Sequence, residues 1–251
     1  MSHHIIEIDH LRHVYPDGTE ALRDVSIRVT HGESVAIIGA NGAGKSTLLS
    51  HLNGYLLPSS GLIRIGHLPV GKGTLAEVRR TVGMVFNDPD DQLFMPTVYE
   101  DVAFGPANLG ISGDELDRCV TEALRRVDAA HLAGKAPYHL SAGEKRRVAI
   151  ASVLSMSPDI LVMDEPTNGL DPYARRQLIG LLKAFHHSKI VTSHDLDMVL
   201  EVCERTVVLS GGEVRADGPT REIFLDEALL KECRLEKPLS MQGCPVCSAT
   251  A

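Results

Sequence analysis

Gly39-Ala40-Asn41-Gly42-Ala43-Gly44-Lys45-Ser46 fits the spacing G-x-x-x-x-G-K-[ST]. Glycines at these positions let backbone N–H groups turn inward around phosphate oxygens, and a helix opening at Ser46 adds positive potential at its N-terminus. Lys45 then reaches the β- and γ-phosphates, and the Ser46 hydroxyl, with Thr47 beside it, can hold Mg²⁺. The bland alternative is a glycine-rich turn before a helix. Every position of the motif is filled between a strand pattern and a helix pattern, which is the context the phosphate reading requires.

Three further groups could act on a bound phosphate. Ile160-Leu161-Val162-Met163-Asp164-Glu165 is an apolar strand ending in two carboxylates. Ligands bind at the carboxyl ends of strands in open α/β sheets, so Asp164 would hold Mg²⁺ through water and Glu165 would polarise an attacking water. His194, in Val191-Thr192-Ser193-His194-Asp195, stands just past another strand. It is either a structural histidine or a hydrogen-bonding partner of a γ-phosphate and that water. Leu140-Ser141-Ala142-Gly143-Glu144 opens a helix, with Ser141 and Glu144 spaced as a capping box. A capped helix start with small residues is also a phosphate-binding surface, so both readings stay open.

The elements that must position these groups follow from periodicity. Ile5–His10 and Val25–Val29 alternate apolar and polar residues across the turn signal Pro16-Asp17-Gly18, which predicts antiparallel strands. Ser34–Ile38 reads as a buried strand, Ser46–Asn53 as a helix, and Leu62–Ile65 and Val82–Phe86 as strands. Apolar residues at helical spacing predict an amphipathic helix over Asp114–His131 and another over Gly143–Met156. Strand and helix then alternate from Ile160 to Cys203, and a hairpin joins Thr206–Leu209 to Glu213–Ala216. The pattern calls for an α/β fold with a mainly parallel sheet, an antiparallel N-terminal part and a helical subdomain inserted at about 87–157. Beyond Glu227 the periodicity fades, so 227–251 reads as a tail following a domain over 1–226.

Composition narrows the function. The chain has 251 residues, 43% of them hydrophobic, enough for one sizeable α/β domain. A net charge of −8, an aromatic fraction of 4% and no Trp argue against a nucleic-acid partner. The longest apolar runs, such as Val148–Met156, fall short of the roughly 20 residues of a spanning helix, and Met1-Ser2-His3-His4-Ile5 lacks a secretory pattern. The expected place is therefore the cytosol.

Taken in order, the glycine loop, Leu140–Glu144, Asp164-Glu165 with Pro166–Asp171, and His194 resemble the ABC ATPase family over roughly Ile5 to Phe224. The resemblance implies the ABC ATPase fold, with a P-loop NTPase core, and a dimer, of two copies or with a paralogous ATPase, that sandwiches two ATP molecules. Each ATP would lie between one subunit's loop (Gly39, Asn41, Gly42, Ala43, Gly44, Lys45, Ser46 and Thr47) and the other's Ser141, Ala142 and Gly143. Tyr15 matches the family's adenine-stacking aromatic, and Asp171 the residue that communicates across the dimer. Asn87 stands where the family carries a glutamine that touches Mg²⁺; its amide is one methylene shorter. Ala142 replaces a usual glycine and is unfavourable only if φ is positive.

Val85–Phe94, Pro96-Thr97-Val98 and Asp101–Pro106 resemble the energy-coupling-factor branch, especially ATPases of cobalt and nickel importers, a signature shared with vitamin-importing relatives. This implies a transmembrane coupling subunit and a substrate-capture membrane subunit as partners, with the chain peripheral at the cytoplasmic face of the membrane. Leu93, Phe94 and Met95 are expected either as exposed contacts for a membrane partner's helix or as packing inside the subdomain. Cys244-Pro245-Val246-Cys247 is either an incomplete metal motif or a pair of incidental thiols. Large insertions or a second cassette, as in soluble ABC proteins of DNA repair or translation, are missing from this sequence. A kinase or GTPase would lack Leu140–Glu144 and His194.

Overall fold

The structure, a computed structural model, describes residues 4–242. Strands β1 (His4–Val14) and β2 (Glu20–Thr30) pair antiparallel across the turn at Pro16–Gly18. β3 (Ser34–Ile38) is buried along its length, and α1 (Lys45–Leu52) follows the glycine loop. β4 (Ser60–Ile65) and the short β5 (Leu68–Pro69) complete a sheet in the order β2-β1-β4-β5. Helix α2 (Leu75–Thr81) leads into β6 (Val82–Val85).

Three helices, α3 (Val98–Asn108), α4 (Gly113–Arg126) and α5 (Ala142–Leu154), separate β6 from β7 (Ile160–Asp164). The chain then alternates α6 (Pro172–Ala184), β8 (Ser188–Thr192), α7 (Leu196–Val202) and β9 (Arg205–Ser210), and closes with β10 (Glu213–Pro219), α8 (Thr220–Leu225) and α9 (Glu227–Glu232). The second sheet has the order β10-β9-β3-β8-β7-β6, parallel throughout except for β10.

The period of two in the parallel strands divides the core. Val35 and Ile37 of β3, with Ile160 and Val162 of β7, face α1 and the first sheet. Ala36 and Ile38, with Leu161 and Met163, face the other helices. Because β3, β8, β7 and β6 run parallel and adjacent, their carboxyl ends share one edge. The glycine loop, His194, Asp164-Glu165 and Asn87 all leave from that edge.

The structure departs from the sequence expectations in two places. Leu93 is not an exposed contact: it is 8% exposed and joins the core of the helical insert, while Phe94 beside it is 64% exposed and Met95 half-buried. Residues 227–242 do not leave the domain as a tail. α9 turns Leu230 and Cys233 into the same core as Phe224, and the Leu239 and Ser240 amides donate to Asp197 of α7. A helix of six residues gives too few turns to show a period, which is why the segment reads as irregular. The cysteine pair Cys244 and Cys247 lies outside the described residues.

Leu230 is buried to 2%. Leu230→Ala should therefore lower unfolding stability by about 2–5 kcal/mol, read as a drop in denaturant midpoint. A change within the few tenths typical of surface sites would place α9 outside the core.

Candidate active site

The loop after β3 is shaped by close approaches. A Cβ at Gly39 would lie 2.3 Å from the Leu209 carbonyl oxygen of β9, so the loop can turn there only without a side chain. Gly44, at φ 102°, occupies the N-cap of α1, and no side chain caps that end. The first-turn N–H groups of α1 thus stay available to an anion. Lys45 is buried and donates from Nζ to the carbonyls of Gly39 (2.8 Å) and Ala40 (3.2 Å). Burial pushes its pKa down, opposed by the carboxylates of Glu165 and Asp164. Ser46 is exposed, and Thr47 Oγ1 lies 3.0 Å from Tyr15 Oη.

Asp164 ends β7, buried, and accepts a hydrogen bond from Thr192 Oγ1 at the end of β8. Glu165 adopts φ 48°, a left-handed conformation uncommon for a residue with a side chain. Its N–H is shared between the Thr192 carbonyl and Oγ1, both at 3.1 Å. Its side chain, 6% exposed, accepts from the His194 N–H at Oε2 (2.8 Å). Oε1 has no hydrogen-bond partner, with His194 Nε2 3.4 Å away. A buried acceptor without a partner is costly to keep, and here it lines the cleft that Lys45 also lines. Behind His194, Asp195 caps α7 at the Met198 N–H and pairs with Arg175 of α6, which fixes the loop.

Tyr15, the glycine loop, Glu165, Asn168 and His194 enclose a cleft of about 570 Å³. Asn87 also lines it and accepts from Asn168 Nδ2 at Oδ1 (3.1 Å). Gln92 is used elsewhere: its amide bonds the Phe86 N–H, the Ala149 carbonyl and Ser152 Oγ, tying the loop to α5. A larger cleft of about 860 Å³ lies at the amino-terminal side of β7 and β8, lined by Pro158 and His187, and holds none of these groups.

Ser141 caps α5 in a full capping box with Glu144. Ala142 is not among the left-handed residues, so its methyl group adds no backbone strain. It lines a separate cleft of about 430 Å³ with Asp88, Lys145 and Gly169, and neither Ser141 nor Gly143 lines the cleft of Lys45. Asp171 is exposed and caps α6 at the Ala174 N–H (2.9 Å). Within one chain, then, the loop, Asp164, Glu165, His194, Tyr15 and Asn87 come together, and Ser141, Ala142, Gly143 and Asp171 stand apart. Thr192 and Asn168 are the side chains that sequence reasoning missed. Thr192 reads only as the last β-branched residue of a strand, and Asn168 as part of a turn.

The sequence profile of the ABC transporter family matches residues 22–168. The chain belongs to the ABC transporter family. GSU1281 of Geobacter sulfurreducens, whose name marks it as an ABC transporter ATP-binding protein, is 70% identical over 98% of this chain and 99% of its own length. The energy-coupling factor transporter ATP-binding protein EcfA of Methanothermobacter thermautotrophicus is 47% identical, over 93% of this chain and 77% of its own. Among solved structures, cbiO1 from Clostridium perfringens, part of the ABC transporter complex cbiONQ, superposes with a TM-score of 0.79 at 39% identity, covering 91% of this chain and 94% of that one. The ATP-binding cassette MJ0796, a dimer in a post-hydrolysis state with ADP and Pi, gives 0.79 at 28% identity, covering 86% and 99%. This ABC protein is thus the ATP-binding subunit of an ABC transporter, an ATPase that hydrolyses ATP for transport. No helix among the described residues of this ABC subunit is long and apolar enough to cross a membrane.

Two outcomes are expected. Thr192→Val removes the hydroxyl that serves both Asp164 and the Glu165 N–H; it should cost about 1–3 kcal/mol of stability and about tenfold in ATP turnover. Unchanged turnover in a steady-state assay would show that the two carboxylates are held by other groups. His51, wholly buried against His13, has its pKa pushed by burial from 6.5 to about 4. The unfolded chain then binds a proton that the folded chain excludes. Its contribution to stability is full above pH 6.5 and is lost as pH falls toward about 4. Urea midpoints between pH 7.5 and 4.5 should decline, and His51→Gln should flatten that decline.

Proposed function

We propose that this chain powers an energy-coupling-factor type importer of cobalt or nickel ions. It would work as a dimer, with itself or a paralogous ATPase, at the cytoplasmic face of the membrane. Lys45 and the first-turn amides of α1 bind the β- and γ-phosphates, and Tyr15 stacks on the adenine. Glu165, through its unpartnered Oε1, orients and polarises the attacking water, and His194 steadies that water and the γ-phosphate. An exposed hydroxyl beside a buried carboxylate is a hard-oxygen donor set that suits Mg²⁺. Ser46 and, through water, Asp164 would hold the ion, whose charge offsets that developing on the phosphate oxygens. Asn87, already bonded to Asn168, serves the cleft wall rather than the ion. Neither Ser141, Ala142 nor Gly143 lines the cleft of Lys45, and Ala142 lines a neighbouring one, which fits the start of α5 closing over the ATP of a second subunit, with Asp171 serving that junction.

The observation that carries the importer reading is the rigid display of aromatic rings on the inserted helices. Asp101, buried, accepts from the Phe94 and Met95 N–H groups, both at 3.0 Å, and burial pushes its carboxyl pKa up. The loop so fixed presents Phe94 edge-on to Phe104, ring centres 5.0 Å apart, and both rings are exposed. Outside the insert, exposed Tyr55 meets half-buried Phe86 edge-on. This surface suits the apolar face of an amphipathic helix from a transmembrane coupling subunit, with a separate substrate-capture subunit beside it. Similarity to EcfA and to cbiO1 of the cbiONQ complex supports the branch. Residues 1–226, with 227–242 packed against them, would form the ATPase unit, with the insert at about 87–157 as its lever.

Glu165→Gln should retain ATP binding and lose about 10²-fold or more in turnover. In cells carrying the native membrane subunits, accumulation of labelled Co²⁺ or Ni²⁺ should depend on Glu165. If neither metal accumulates while a vitamin does, the ATPase role stands and the cargo is the vitamin of the related branch. Wild-type turnover in the variant would remove Glu165 from its role.

A further inference from the structure

Two imidazoles lie buried between Tyr15 and α1: His13 at 7% exposure and His51 at 0%. His51 Nδ1 is 2.7 Å from the Thr47 carbonyl oxygen, and its Nε2 is 3.1 Å from His13 Nδ1. These distances determine where the protons sit. A carbonyl only accepts, so His51 Nδ1 carries the hydrogen. Burial keeps the ring neutral, so His51 Nε2 is a bare acceptor. His13 must then donate from Nδ1, not from Nε2. Its Nε2 is buried and has no partner. His51 is thus held in the Nδ1–H tautomer, with the Nδ1 hydrogen of His13 directed at its bare nitrogen.

The pair closes a ring of contacts. His13 meets His51 nearly perpendicular, centres 4.6 Å apart, and meets Tyr15 edge-on at 4.7 Å and 85°. Tyr15 Oη returns to Thr47 Oγ1. Thr47 therefore anchors both ends, by its carbonyl and by its hydroxyl, in the same helical turn as Lys45 and Ser46. Tyr15 itself follows β1, its backbone held in the turn by bonds from its N–H to the Thr19 carbonyl and from the Gly18 N–H to its own carbonyl, both at 2.9 Å, so what the rings around it set is the side chain.

We propose that His13 and His51 are positioning residues that act through Tyr15, setting the plane on which the nucleobase stacks relative to the phosphate loop. The proposal rests on the reading of Tyr15 as the base-stacking residue. It predicts a selective loss. His13→Leu and His51→Leu should weaken ATP binding by about twofold to tenfold, the range of one aromatic edge contact. Binding of inorganic tripolyphosphate with Mg²⁺, which has no base, should not change.

The experiment is calorimetric titration of both probes into the full chain and into His13→Leu, His51→Leu and Tyr15→Leu, with ¹⁵N NMR of the imidazoles in the parent. The expected result is selective weakening for ATP, a hydrogen on Nδ1 of both rings and none on Nε2 of His51. Equal weakening for ATP and tripolyphosphate would overturn the proposal, since the pair would then only hold α1 in shape. So would histidine variants that bind ATP like the parent while Tyr15→Leu does not. If Tyr15→Leu itself binds ATP normally, the stacking role of Tyr15 fails instead, and the proposal with it. Should the histidine variants not fold, an Nε2–H signal at His51 in the parent would overturn the assignment without them.

Discussion

The parallel pairing of β3 with β8, of β8 with β7 and of β7 with β6 governs everything the site does. Strands so paired must all end on one side. Four loops from distant parts of the sequence therefore meet at a single edge without any long excursion. Thr192 locks that arrangement from within. One hydroxyl at the end of β8 donates to Asp164 and accepts from the N–H of Glu165, so the relative height of the two strands is fixed where the chemistry needs it. The insert hangs from the same edge through Arg146, which donates to the carbonyls of Phe86 and Asn87 and is itself buried.

That last contact links the nucleotide cleft to the exposed aromatic surface. Asn87 touches Asn168 on one side and is gripped by Arg146 of α5 on the other, and Gln92 and Lys145 tie the following loop to α5 as well, Lys145 through Asp90. A chain of short polar contacts therefore connects Asn168 to the loop that carries Phe94. Val102, Val120, Leu124 and Val148 of the insert share one core with Leu161 and Val191 of the sheet.

Much of this was legible in the residues. The phosphate loop announces itself because each glycine answers a local demand: Gly39 has Leu209 against it, and Gly44 has a positive φ. Asp164 and Glu165 were visible as charges closing an apolar run. The helices hardest to see were α2, seven residues long, and α3, which carries Gly105 and Pro106 near its end and so looks broken in the sequence. Thr192 was invisible because its value comes from two partners on a neighbouring strand. Leu93 and Phe94 differ little as letters; only the buried carboxylate of Asp101, holding the amides of Phe94 and Met95, decides which of the two turns inward.

The left-handed backbone at Glu165 has a consequence for how this sequence can drift. A glycine or an asparagine would occupy φ 48° with less strain than a glutamate does. Selection for a sturdier fold alone would thus push this position toward residues that cannot polarise water. Glutamate persists there only against that pressure, so the residue records demand for work done rather than for a shape kept.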